Sequence, residues 1–271
     1  VSLPGTLENI DTTAFEGSKK ITEVLIRAKN EDVNNIDYYK SLFPDDANIY
    51  IYKCSNILAK NKNELKTNYG HCNNELYDVT IPDGVTSIES KAFMDVKNIK
   101  SVTIPDSVTS IGERAFRECK ELTSVDIPDS VTKINDLAFS YSGLTSVTIP
   151  NSPAALSGSF VFYMCKGLTS VDIPVSVTSI GDNAFSYSGL TSVDIPDSVT
   201  SIEAWAFKEC TGLMSVKIGD SVTEIKQGAF KSCTGLKSVD IPDSVTEIKQ
   251  GAFKSCTGLK SVSIPESVKI D

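Results

Sequence analysis

Leu122-Thr-Ser-Val125-Asp-Ile127-Pro-Asp-Ser-Val131-Thr-Lys-Ile134, followed by Ala138-Phe139, recurs with small changes along most of this chain. Each of its positions has a physical reason. Leu122, Val125 and Ile127 give the spacing of a short strand whose alternate residues, Ser124 and Asp126, face the other way. Pro128 has no N–H to donate, so it stops a parallel ladder after the strand. Val131 and Ile134 point back inward as a second short strand. Ala138 and Phe139 fill the far side, which is expected to be a short helical turn. One such unit cannot bury its own apolar groups, whereas stacked copies share a continuous core.

The period confirms the unit. Ile81, Ile104, Ile127, Ile149, Ile173, Ile195, Ile218, Ile241 and Ile264 are separated by 23, 23, 22, 24, 22, 23, 23 and 23 residues. Phe93, Phe116, Phe139, Phe185, Phe207, Phe230 and Phe253 each follow twelve residues after one of them, and Phe162 follows after thirteen. Leu3, Pro4, Leu7, Ile10, Ala14, Phe15, Ile21, Val24 and Ile26 keep the same frame at the start. Between Ile26 and Ile81 lie 55 residues, two periods plus nine, read as two degenerate repeats around an insertion. Asn48–Tyr52 is expected to be a strand there, and 61–74 a polar protruding loop. Asp220–Val239 is identical to Asp243–Val262, a duplication that a solenoid tolerates because each unit meets only its neighbours.

The expected architecture is a single solenoid over 1–271. A regular repeat spans 1–26, irregular repeats with an insertion span 27–77, and regular units of 22–24 residues span 78–271. A parallel β-sheet covers one face, with short second strands and short helical turns on the other, wound as a right-handed curved superhelix. The chain starts at Val1 and stops at Asp271 in mid-repeat, so it reads as a fragment of a longer protein.

The unit I-P-x-S-V-T-x-I-G-x-x-A-F-x-x-C-x-x-L-x-S-V, as at Ile104–Val125, resembles the BspA-type leucine-rich repeat family. The resemblance extends through 76–271 and the first 26 residues. It implies a bacterial or protist protein that is secreted or held at the cell surface, with adhesion to host cells or matrix among the functions. A gut or oral commensal is a natural owner. Arg27–Tyr77 departs from the pattern.

Charge narrows the partners. With a net charge of −9 and a pI near 4.8, the chain lacks the lysine and arginine excess that nucleic acid or an anionic membrane requires. No apolar run reaches the ~18 residues of a membrane span, so no direct membrane insertion is expected in this fragment. No N-x-Ser/Thr sequon occurs, which fits a bacterial product.

Residues for catalysis are scarce. The single histidine, His71, stands beside Cys72 in the polar insertion, and adjacency alone supplies neither an orienting group nor a cleft. Phosphate-loop, dinucleotide, zinc-protease and nucleophile-elbow motifs are all missing. Gly112 and Gly181 read as turn residues. No enzyme, cofactor or metal site is expected. Cys119, Cys165, Cys210, Cys233 and Cys256 each stand three residues after a core phenylalanine, with Val96 in the same place, which marks an apolar buried column. The spacing leaves open free thiols or a disulfide between neighbouring repeats. Cys54 and Cys72 lie in the irregular region, where an insertion staple is open as well.

The outward strand positions are the candidates for ligand contact. Ser101, Ser124, Ser146, Ser170, Ser192, Ser215, Ser238 and Ser261 form one column, and Thr103, Asp126, Thr148, Asp172, Asp194, Lys217, Asp240 and Ser263 form the next. They are also what duplication of a solvated strand leaves behind. A cation between stacked aspartates is the third reading, and Asp172 with Asp194 lacks the dense oxygen cage calcium requires. Among these, Ser124, Asp126, Asp172, Asp194, Lys217 and Asp240 are selected as contacts. Tyr50, Tyr52 and Tyr69 are added from the tyrosine-rich irregular region because tyrosine anchors interfaces at low entropic cost. Phe160, Phe162 and Tyr163, with Met164, break the uniformity beside the altered turn Asn151–Ser159, and Trp205, just before Ala206-Phe207, reads as a partly exposed ridge residue. The expectation is a non-catalytic, extracellular or cell-surface module that adheres to a protein or glycan. A structural spacer and a carbohydrate-binding accessory region are the alternatives.

Overall fold

The computed structural model describes residues 76–81 and 83–270, and the backbone of five earlier strands: Ser2–Leu3, Glu23–Arg27, Asn48–Tyr52, Ile57–Lys60 and Glu64–Leu65. Each repeat makes one turn of a solenoid with three walls. The first wall pairs Tyr77–Thr80, Ile99–Thr103, Ser124–Asp126 and Ser146–Thr148 in parallel, then Ser192–Asp194 with Ser215–Lys217, and Ser238–Asp240 with Ser261–Ser263. Its register matches like with like: Ser101, Ser124 and Ser146 align, as do Val102, Val125 and Val147. Val125 is buried between exposed Ser124 and Asp126, the alternation expected of a strand with one face in the core. The second wall is built of two-residue strands, from Glu64–Leu65 through Lys133–Ile134 and again from Ser179–Ile180 through Lys269–Ile270.

Asn48–Tyr52 is a strand, parallel to Glu23–Arg27 and antiparallel to Ile57–Lys60. Part of the stretch expected to be a loop takes another form, since Glu64–Leu65 pairs with Ser87–Ile88 in the second wall. Cys54, Tyr69, His71 and Cys72 lie outside the described residues.

The third wall consists of turns whose hydrogen bonding is not helical. In the repeat around Phe139, Ala138 N–H donates to Asn135 O, Ser140 N–H to Leu137 O and Ser142 N–H to Phe139 O, three overlapping β-turns. The intervening N–H groups of Leu137, Phe139 and Tyr141 donate to Ser159, Val161 and Tyr163 of the next turn, at 2.8, 3.0 and 2.8 Å. A helix would keep all of these bonds within the repeat. The alternation requires left-handed φ at Leu137 (60°) and Tyr141 (59°), and the same two places are left-handed in every regular repeat. Each such residue costs on the order of 1–2 kcal/mol, and each inter-repeat bond returns about 0.5–1.5 kcal/mol. The backbone terms nearly cancel, so side-chain burial decides the balance.

That burial is a file of rings. Phe93, Phe116, Phe139, Phe162, Phe185, Phe207, Phe230 and Phe253 stack near-parallel, with centroids 5.0–5.6 Å apart. The first seven are fully buried. Gly112 has an ordinary φ, so it does not serve as a left-handed turn residue. It is glycine because a Cβ there would lie 2.5 Å from Ser90 N and 2.6 Å from Glu89 C of the preceding repeat.

One repeat departs from the pattern. Pro153 stands where the repeat before has Thr132, and it has no N–H to give to Thr132 O. The Ser152 hydroxyl makes that bond instead, at 3.0 Å. No second strand forms around Ala155 and Leu156, and Ser170–Asp172 of the same turn is not a strand either. The phenylalanine file and the third-wall hydrogen bonds run through this repeat without a gap.

The cysteine column is buried and its five thiols are free. Each thiol donates to the carbonyl of the phenylalanine one repeat earlier: Cys119 Sγ to Phe93 O at 3.2 Å, and Cys165 Sγ to Phe139 O at 3.2 Å. That carbonyl already accepts the N–H three residues on, so the thiol fills its second lone pair. The two 22-residue repeats carry Ser142 and Ser188 in this place, each buried and 3.3 and 3.2 Å from Cys165 and Cys210.

Burial pushes the Cys119 thiol far up, Cys165 up to about 12 and Cys210 to about 11, from 9.0. The hydrogen bond with Cys256, and then burial, raise Cys233, while the same contact holds Cys256 down. At pH 8, a small thiol reagent followed by peptide mapping is expected to label Cys256 first and leave Cys119, Cys165 and Cys210 unmodified until denaturant is added. A thiol with a raised folded pKa contributes stability below pH 9 that is lost as pH rises through the folded value. Unfolding free energy is therefore expected to fall between pH 9 and 11 by about 1 kcal/mol per pH unit for each such thiol. Phe139→Ala is expected to cost about 3–5 kcal/mol in urea unfolding. A loss below about 1 kcal/mol would show that the rings do not hold the stack.

Candidate recognition surface

The first wall presents its polar columns to solvent. Ser124, Asp126, Asp194, Lys217 and Asp240 are exposed on strands, and the alternate valines are held inward. Parallel pairing therefore fixes the direction of each of these side chains. Asp194 lies opposite Lys217 on the neighbouring strand, and Lys217 is the one positive charge in the selected row. Some members bond along the row: Thr148 Oγ1 donates to Asp126 Oδ1 at 2.8 Å, and Ser101 Oγ donates to Asp78 Oδ1 at 2.6 Å. Asp172 is exposed as expected but stands outside any strand, so the face is interrupted between Thr148 and Ser192. Tyr50 and Tyr52 lie on the Asn48–Tyr52 strand. Among the described residues no three histidine, cysteine or acidic residues gather as metal ligands, and no helix is long and apolar enough to cross a membrane.

The third wall carries a second feature, which the sequence showed only in part. Of the aromatic group around Phe162, Phe162 itself belongs to the core, while Phe160 and Tyr163 are half-buried on the surface. Tyr163 meets Tyr141, Phe160 and Tyr187 edge to face at 5.3, 5.3 and 5.6 Å. Arg117 lies over the Tyr141 ring at 5.5 Å and Lys208 over Tyr187 at 5.3 Å, which makes a strip of rings closed by a cation at each end. Burial, and then the neighbouring Tyr141 and Tyr187, raise the Tyr163 phenol above its ordinary value. Tyr141 and Tyr187 were missed in the sequence. Counting two places on from Phe139 and Phe185 would have found them, because that place faces out in every repeat.

The family model for the BspA type leucine rich repeat region matches in 6 copies, over residues 1–57, 66–189 and 155–270. A leucine-rich repeat protein from Eubacterium ventriosum is similar at 22% identity, covering 99% of this chain and 60% of its own, with a TM-score of 0.53, and shares the fold. A leucine rich cell surface protein from Faecalibacterium prausnitzii is 24% identical over 83% of this chain and 89% of its own, with a TM-score of 0.37. The T. pallidum leucine rich repeat protein is 24% identical over 80% of this chain and 78% of its own, with a TM-score of 0.39. No curated protein matches the sequence. The repeat unit, its stacking and the span of the family match agree, and the chain belongs to the BspA-type leucine-rich repeat family.

Proposed function

We propose that this chain is a non-catalytic recognition module of the cell surface or extracellular space, and that its first wall adheres to a protein or glycan of a host or neighbouring cell. The observation that carries the proposal is the row of exposed polar side chains, Ser124 with Asp126, Ser192 with Asp194, Ser215 with Lys217 and Ser238 with Asp240, each on a strand whose outward face is fixed by parallel pairing with a neighbour. Such a row offers hydrogen bonds at each turn and no bulk to obstruct an extended ligand. Affinity then comes from many modest contacts on a surface ordered before binding, which lowers the entropy lost on association. The buried, protonated thiols of Cys165 and Cys210 are poor nucleophiles, which supports a role without bond making in that part of the column.

A structural spacer is the second reading, favoured by the identity of Asp220–Val239 with Asp243–Val262, since a spacer requires length more than variety. The test is binding of the purified chain to immobilised matrix proteins, mucin and intact epithelial cells. It is run beside a variant with Asp126, Asp172, Asp194 and Asp240 changed to alanine and checked for unchanged unfolding. Saturable binding that weakens about tenfold or more in the variant is the expected result. Undiminished binding by the variant would remove the first wall from the proposal, and no binding to any surface would favour the spacer.

A further inference from the structure

The third wall changes character at Trp205, the sole tryptophan of the chain. The place two residues before each core phenylalanine is occupied in turn by Lys91, Arg114, Leu137, Phe160, Asn183 and Trp205, and then by Gly228 and Gly251. Trp205 has a left-handed φ of 56° and lies toward the next repeat. A Cβ on Gly228 would stand 2.5 Å from Trp205 Cδ1 and 2.7 Å from Nε1, so the indole edge rests where only glycine admits it. Beyond it the row of side chains ends. What remains is a groove of about 220 Å³ with Gly228 and Gly251 among its lining residues and Trp205 as one wall. The other sides are Gln227, Gln250, Lys231 and Lys254.

The charges around the groove are not equivalent. Lys226 is paired with Glu203, and Lys249 with Glu247 at 2.6 Å and Glu224 at 3.9 Å. Lys208 is taken up by the Tyr187 ring. Lys231 and Lys254 make no ion pair among the described residues. In a chain of net charge −9, two unpaired cations one repeat apart beside an aromatic wall form a local site for an anion. The groove is smaller than the ~300–1,000 Å³ of drug-sized sites, which suits one ring rather than an extended ligand.

We propose that this groove binds a single acidic pyranose residue of a glycan, with the sugar ring against Trp205 and its carboxylate held by Lys231 and Lys254. The apolar face of a pyranose packs against indole, and its hydroxyls both donate and accept, as the amides of Gln227 and Gln250 do. Lysine serves the carboxylate as a point charge without demanding a fixed orientation. A bare phosphate would leave the aromatic wall unused, and an acidic peptide side chain has no ring to set against it. This site lies on the third wall and does not depend on ligand contact by the first.

Trp205 reports on its own groove. Its emission is followed while the chain is titrated with 3′-sialyllactose, with trigalacturonate, and with lactose as the neutral control. A saturable change is expected with at least one acidic probe, and binding of lactose is expected to be about tenfold weaker or more. Changing Lys231 and Lys254 to glutamine is expected to weaken acidic-probe binding about tenfold or more and to remove its salt dependence. The four-aspartate variant of the first wall, weakened toward immobilised surfaces, is expected to bind the acidic probes no more weakly than the parent does. Trp205→Ala, which removes the reporter, is followed by ligand-observed saturation-transfer NMR after its fold has been checked by circular dichroism, and loss of the signal is expected. The proposal is overturned by the absence of a saturable change with both acidic probes at millimolar concentration, by equal affinity for lactose, or by full affinity in the lysine variant.

Discussion

Neighbouring turns of this chain lie at the distance at which two backbones exchange hydrogen bonds, and every inward side chain has to accept that spacing. Strand pairing sets it near 4.7–4.9 Å. The phenylalanine rings, 5.0–5.6 Å apart, sit slightly wider and nearly parallel, a fit available to flat side chains repeated at one place. Left-handed residues such as Leu137 and Tyr141 turn alternate N–H groups toward the next repeat, and this keeps the third wall at the same separation. Among the described glycines Gly143 marks the closest approach, where a Cβ would lie 2.0 Å from Lys120 O of the preceding repeat.

From this constraint follows a division of labour among the walls. Strand pairing is interrupted in the first and second walls around the Pro153 repeat, whereas the third wall and the ring file continue through it. The core therefore supplies continuity, and the outward positions are free to vary. On the first wall they vary little, between serine, threonine, aspartate and one lysine of the selected row. On the third wall they vary widely, from Arg117 through the tyrosine strip to the glycines beside Trp205. Specific recognition requires such local difference, and the third wall offers more of it.

Much of this was legible in the residues. The interval between Ile104 and Ile127, with Phe116 between them, is enough to predict stacked units, because a unit of that length has no other way to bury its apolar groups. Ser124 and Asp126 could be placed on the outer face by alternation alone. The turn geometry was not legible: Ala138-Phe139 suits a helical turn as well as overlapping β-turns, and the choice depends on carbonyls supplied by the next repeat. Ser142 and Ser188 escaped for a related reason, since serine in isolation suggests solvent and only its alignment with Cys119 and Cys165 shows it to be internal. Trp205 could be seen as a ridge residue. Its groove required knowing that Gly228 lies beneath the indole, a relation between repeats rather than within one.

Hydrogen–deuterium exchange across the Pro153 repeat tests the central claim, that the third wall and its rings carry the stack, most directly. If they do, peptides covering Phe160–Cys165 exchange as slowly as those covering Phe139–Ser142 and Phe185–Ser188, and all three open together as urea is added. Fast exchange at Phe160–Cys165, with the turns before and after it opening in separate transitions, would mean that the strands hold the solenoid and that it is divided where they are interrupted.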